Sequence, residues 1–169
     1  LRIAQQDLPP HVHLVRGDMR ALPFGARFDA VANFFTSFGY FQEDTENRAV
    51  LETVASVLKP GGKFFMDYLN PAYVRRTLEP RSEREQDGLR IVEQRWISED
   101  APRVNKSTDI YEAESLRSTA SESVRLYEPA EMQDFFERAG FRVERTFGDY
   151  SGVPVGPEHP RTIYVATRN

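Results

Sequence analysis

The sequence predicts an α/β fold, a mostly parallel sheet that carries an antiparallel β insertion. Three observations support that expectation. Phe28 to Leu69 reads as strand, helix, turn and strand: FDAVANFF, an amphipathic stretch, then VLKPGGKFFMDYL. Just upstream, VHLVRGDM is a short apolar run closed by Gly17-Asp18. Towards the end, LYEPAEMQDFFERAGFRV repeats the step from helix to strand. Strands joined through a helix run parallel, because the crossover brings the chain back to the same end of the sheet.

Each element has a local reason. Leu1 to Gln6 has the pattern of a helix end, and Asp7-Leu8-Pro9-Pro10 breaks it, since proline has no N–H to give a helix. Val12 to Val15 is a short strand, and Ala21 to Arg27 is a loop holding Pro23 and Gly25. Phe28 to Phe34 is the next strand, apolar on both faces as in a sheet covered on both sides by helices. Asp44 or Thr45 is placed to cap the helix that follows, where Val50, Leu51, Val54, Val57 and Leu58 form one stripe at helical period. Lys59-Pro60-Gly61-Gly62 ends it, glycine serving as a left-handed cap. Lys63 to Leu69 then completes a right-handed βαβ unit.

Beyond Asn70 the character changes. Ala72 to Leu78 is a short helix and Glu79 to Gly88 a charged loop. Leu89 to Ile97, Arg103 to Glu112 and Leu116 to Tyr127 are β-like runs joined by short turn segments, an antiparallel meander. Both its faces mix polar and apolar residues, so it reads as a lid or an added layer. Pro129 fits the first turn of a last helix. Met132, Phe135, Phe136 and Ala139 line the buried face of that helix, and Gly140 stops it. Phe141 to Phe147 and Thr162 to Thr167 are two closing strands. The organisation is a core at 1–70, an insertion at 71–127, and a completing helix and strand pair at 128–169.

Composition narrows the function. The 169 residues suffice for one sizeable core. A net charge of −4 argues against non-specific nucleic-acid binding, which comes with a basic face. Arg75, Arg76, Arg81, Arg84 and Arg90 cluster, but Glu79, Glu83, Glu85 and Asp87 are interleaved, giving a solvated mixed-charge surface. No cysteine is present, so disulfides and thiol chemistry are excluded, and the expectation is a cytoplasmic location. No apolar run approaches the ~20 residues of a membrane span. No metal site is expected.

Taken in order and spacing, GDMRALPF, FDAVANFFTSFGYF, VLKPGGKFFMDYL, LYEPAEMQDFFERAGF and the terminal strand pair resemble the later motifs of class I S-adenosylmethionine-dependent methyltransferases, whose sheet is Rossmann-like. The resemblance is to the small-molecule type with a β insertion, and it covers essentially the whole chain. It implies S-adenosyl-L-methionine as cofactor and a small-molecule methyl acceptor as partner, with no nucleic acid or membrane; homo-oligomerisation stays open. Asp18 would accept a hydrogen bond from the adenine amino group and Met19 would contact the ring, although Gly17-Asp18 is also ordinary turn chemistry. Asn33 and Phe34 would lie beside the methionine part of the cofactor. Phe35, Phe38, Tyr40 and Tyr68 are the candidate substrate pocket. Aromatic faces attract a sulfonium or methylammonium, though core packing is their commoner use. Tyr40 and Tyr127 are the candidate catalytic residues. Asp67, a carboxylate inside an apolar strand, needs buried partners. His159 in PEHPR reads as a surface residue, and His11 and His13 have no assigned role.

One family motif is missing. The glycine-rich cofactor loop has no counterpart, since the glycines of GDYSGVPVGP are four apart and lead to no helix. The resemblance therefore implies a chain without its N-terminal portion, from a protein of about 240–260 residues. It also places further strands between the Val12 strand and the Phe28 strand. The alternative is a non-catalytic scaffold or oligomerisation module that lacks the cofactor loop.

Overall fold

A computed structural model describes residues 2–9 and 11–169. Its elements run α1 (Arg2–Asp7), β1 (Phe28–Asn33), α2 (Asp44–Val57), β2 (Leu58–Leu69), α3 (Pro71–Thr77), β3 (Arg81–Gln86), β4 (Leu89–Ile97), β5 (Arg103–Glu112), β6 (Ser115–Arg125), α4 (Pro129–Arg138), β7 (Phe141–Phe147) and β8 (Arg161–Arg168). They build two four-stranded sheets, β1-β2-β8-β7 and β3-β4-β5-β6. In the first, only β1 and β2 are parallel, with Asn33 beside Met66, while β8 runs antiparallel to both β2 and β7. The sheet is mixed, not mostly parallel. The expected strand at Val12 to Val15 is not formed: that segment joins no ladder among the described residues.

The core sits on one face of the mixed sheet. On β2, Phe64, Met66 and Tyr68 point to one side, as do Tyr164 and Ala166 on β8, and all are buried. Val50, Leu51 and Val54 of α2 and Met132, Phe135 and Phe136 of α4 close over them. Phe65 and Val165, paired on the opposite face, are only half-buried. The expectation of helices on both faces is therefore corrected, since α2 and α4 both cover the same side.

Two helix boundaries also differ from expectation. The cap of α2 is Glu43, not Asp44 or Thr45, and Glu46 reaches back towards the Glu43 N–H. Lys59-Pro60-Gly61-Gly62 does not cap the helix. The chain leaves α2 through an extended Leu58, and the four residues form an irregular start to β2. At α4 the expectation holds at both ends: Pro129 opens the helix, and Gly140 adopts a positive φ just beyond it.

The second sheet is built from the segment expected as an insertion. It contains a strand, β3, where a charged loop was expected, paired with β4 from Arg81–Gln94 to Gln86–Leu89. Val104, Val124 and Ile97 tie this sheet to the core of the first. Arg103 is buried there and pairs with no carboxylate among the described residues. Its guanidinium donates to the carbonyls of Gly39, Tyr40, Phe41 and Ser123, fastening the insertion to the loop after β1. Gly39 is needed at that seam. Its φ is +91°, and a Cβ there would stand 3.2 Å from Val124 Cγ1 and 3.3 Å from the Arg125 carbonyl. Gly39→Ala is expected to destabilise the protein by about 1–2 kcal/mol, read as a lowered urea midpoint. No helix among the described residues is long and apolar enough to cross a membrane.

Candidate functional site

The parallel pair β1–β2 ends its strands side by side, and the carboxyl edge of such a pair is where ligands settle in open α/β sheets. β1 delivers Asn33, Phe34 and Phe35 to this edge, and β2 delivers Asp67 to Leu69. The chain then turns sharply: Phe35 and Thr36 both hold left-handed backbone, φ +56° and +57°. For non-glycine residues this costs about 1–2 kcal/mol each, so the surroundings must enforce it.

Asp67 enforces it. Its side chain is 0% exposed and forms an ion pair with Arg161 Nε at 2.5 Å. Its Oδ2 accepts from the Phe35 N–H at 2.8 Å and also from the Tyr150 hydroxyl. Arg161 spans the turn by donating to Thr36 Oγ1 at 2.9 Å, while the Thr36 N–H donates to the Asp67 carbonyl at 3.1 Å. Burial alone would raise the Asp67 carboxyl, but the bonds from Arg161, Tyr150 and Phe35 together hold it below its ordinary value. The partners expected for a carboxylate in an apolar strand are thus present. Tyr150 and Arg161 carried no sequence signal.

Asp18 lies on the loop before β1. Its carboxylate accepts from Arg20 through the backbone N–H at 2.9 Å and the guanidinium Nη2 at 2.6 Å. The Arg20 side-chain bond leads the causes that hold Asp18 at about 2. Arg20 also pairs with Glu46 and lies 4.3 Å above the Phe41 ring, which ties this loop to α2. Arg20→Ala is expected to return Asp18 from about 2 towards its ordinary 3.8, as an NMR pH titration would read. Met19 lines a trough of about 620 Å³ together with His13, Val15, Gly17, Phe24 and Phe28.

The aromatic candidates divide sharply. Phe34 and Phe35 are exposed, Phe35 at 80%, with ring centroids 6.0 Å apart. Tyr40 is 45% exposed. It lines a cavity of about 210 Å³ with Thr36 and with residues of the second sheet that include Arg95, Lys106 and Glu122. Burial, followed by the nearby Glu122, raises the Tyr40 phenol, so it stays protonated at neutral pH. Phe38, Tyr68 and Tyr127 lie instead in the core, with Phe38 packed against both tyrosines. The Tyr68 hydroxyl donates to the Arg125 carbonyl, and the Tyr127 hydroxyl donates to Asp44 at 2.6 Å. Neither is placed to meet a substrate. His159 is half-buried and stands 3.2 Å from Glu158.

At this edge Asn33 is the telling residue. Its Oδ1 is buried and has no hydrogen-bond partner among the described residues. Buried acceptors are rarely left unpaired, so an orphan at a ligand edge is an opening for a donor.

A crystal structure of an S-adenosylmethionine-dependent methyltransferase from Clostridium acetobutylicum superposes at a TM-score of 0.81 and 17% identity, over 99% of this chain and 68% of that one. The chain has a methyltransferase fold. Residues 1–62 match the family model described as a methyltransferase domain. The cypemycin N-terminal methyltransferase of Streptomyces sp is 38% identical over 74 residues, 44% of this chain and 30% of that protein. The dTDP-3-amino-3,4,6-trideoxy-alpha-D-glucopyranose N,N-dimethyltransferase of Streptomyces venezuelae is 28% identical over 159 residues, 85% of this chain and 62% of that protein. The chain therefore spans less than two thirds of the length of either relative.

Proposed function

We propose that this chain forms the cofactor edge and acceptor side of an S-adenosylmethionine-dependent methyltransferase, and that its acceptor is the amine of a small molecule. The orphaned Asn33 Oδ1 carries the reading. It fits a cofactor that bears an ammonium group, and Asp18 fits as well, since its carboxylate remains about half-exposed beside Arg20. Asp18 and Met19 would hold the adenine, Asn33 the amino-acid end, and Phe34 would pack beside it. When bound, the cofactor supplies a methyl group on a sulfonium. The amine class is favoured by the Streptomyces venezuelae relative, which is named an N,N-dimethyltransferase of an amino sugar.

What remains for the protein is placement and exclusion of water, which can supply most of the acceleration in a displacement of this kind. Phe35 and Tyr40 would form the acceptor wall, where aromatic faces favour a developing ammonium. A phenol that keeps its proton serves Tyr40 as a hydrogen-bonding group that orients the acceptor, not as a base. The insertion at 71–127 would act as a lid, bringing Arg95, Lys106 and Glu122 over the edge.

Calorimetric titration of S-adenosylhomocysteine tests this. The expected outcome is micromolar binding that Asn33→Ala weakens about tenfold, the loss of one hydrogen bond to a charged group. Absence of binding by the parent chain would overturn the proposal.

A further inference from the structure

The β7–β8 connection crosses back over the carboxyl edge and is fastened there at several points. The Asn70 amide donates to the carbonyls of Gly156 and His159, both at 2.9 Å, and the Asn70 N–H donates to the Pro160 carbonyl at 3.0 Å. Tyr150 stands on the same connection with its ring 58% exposed, yet its hydroxyl reaches the fully buried Asp67. It bonds the same oxygen, Oδ2, that accepts the Phe35 N–H. The other carboxylate oxygen takes Arg161, whose second arm holds Thr36. One carboxylate thus joins an exposed loop to two consecutive left-handed residues.

We propose that Tyr150, Asp67 and Arg161 form a clamp that fixes the Phe35–Thr36 turn, making Tyr150 a positioning residue for the cofactor and acceptor edge. Non-glycine residues in sparsely populated backbone cluster where a ligand needs a preset surface. The clamp supplies the compensating contacts from three separate strands or loops. Its role in binding rests on the methyltransferase reading; its role in holding the turn does not.

Tyr150→Phe removes one hydroxyl from an exposed ring, so the fold survives. Amide hydrogen exchange at Phe35 and Thr36 is expected to quicken about tenfold, the worth of one charge-assisted bond. Tyr164 and Ala166, in the β8 ladder, should keep their parent rates. Exchange unchanged at Phe35 and Thr36, or quickened equally at Tyr164 and Ala166, would overturn the clamp. Where the parent chain binds S-adenosylhomocysteine, Tyr150→Phe should weaken it about tenfold under conditions in which both proteins are fully folded, an effect that a merely structural residue would not show. A parent chain that binds none would sink the functional reading, while the exchange comparison would still decide the clamp.

Discussion

Phe136→Ala is expected to destabilise the protein by about 3–5 kcal/mol, enough to abolish most of the stability of an ordinary domain. Phe136 is fully buried and stands at the meeting point of four elements. Its ring lies 5.9 Å from Phe64 on β2, 6.0 Å from Phe141 on β7 and 5.2 Å from Tyr164 on β8. Truncation removes the apolar area and opens a void whose walls are aromatic rings belonging to different strands. Those rings are themselves buried and cannot all collapse into it. Urea denaturation reads the loss directly. Phe35→Ala supplies the contrast, because that ring is 80% exposed. It should change stability by less than about 0.5 kcal/mol, while the functional reading has it weaken the acceptor wall. A large loss of stability from Phe35→Ala would mean that its ring is structural.

The βαβ unit was legible in the sequence because its signals are local. Two apolar runs flank a stripe at helical period, and no distant partner is needed to recognise them. β3 was not legible for the complementary reason. RSEREQ contains no apolar residue, and it becomes a strand through its ladder with β4 and cross-strand pairs such as Arg84 with Glu93 and Arg90 with Glu83. The Val12 segment shows the reverse case, an apolar run that reads as a strand but joins no ladder among the described residues. The cap of α2 moved to Glu43 because the helix began one residue earlier than Asp44 and Thr45 suggested.

Asn33 closes β1, with Phe34 and Phe35 directly after it, as the sequence pattern indicated, whereas Asp18 follows a segment that forms no strand among the described residues. Phe38, Tyr68 and Tyr127 show the limit of that logic. An aromatic residue near a strand end belongs to the core or the crevice according to which way its side chain points, and composition says nothing about that. The polar residues that hold the edge together were harder still. Tyr150 meets Asp67 across 83 positions and Arg161 meets it across 94, so neither pair leaves a local trace. Arg103 reaches the loop after β1 over a comparable gap, 64 positions to Gly39.

Asp67→Ala is expected to cost about 3 kcal/mol, because it leaves Arg161 without its partner and frees two left-handed residues from their anchor. The pH dependence separates the charge from the packing. Asp67 is held below its ordinary value of 3.8, so the folded state binds its proton more weakly than the unfolded chain does. The stabilisation is therefore complete above that ordinary value and is lost as the pH falls through the lower folded value. Asp67→Asn keeps the volume and removes the charge. The gap between parent and Asp67→Asn should be widest near neutrality and close on acidification below about pH 4. Asp18 and Glu144, each held at about 2, also take up protons on that limb, but they do so in both proteins and cancel in the difference. A gap that stayed constant with pH would show that the turn is held by shape alone. The carboxylate charge would then have no part in presenting Phe35 at the edge.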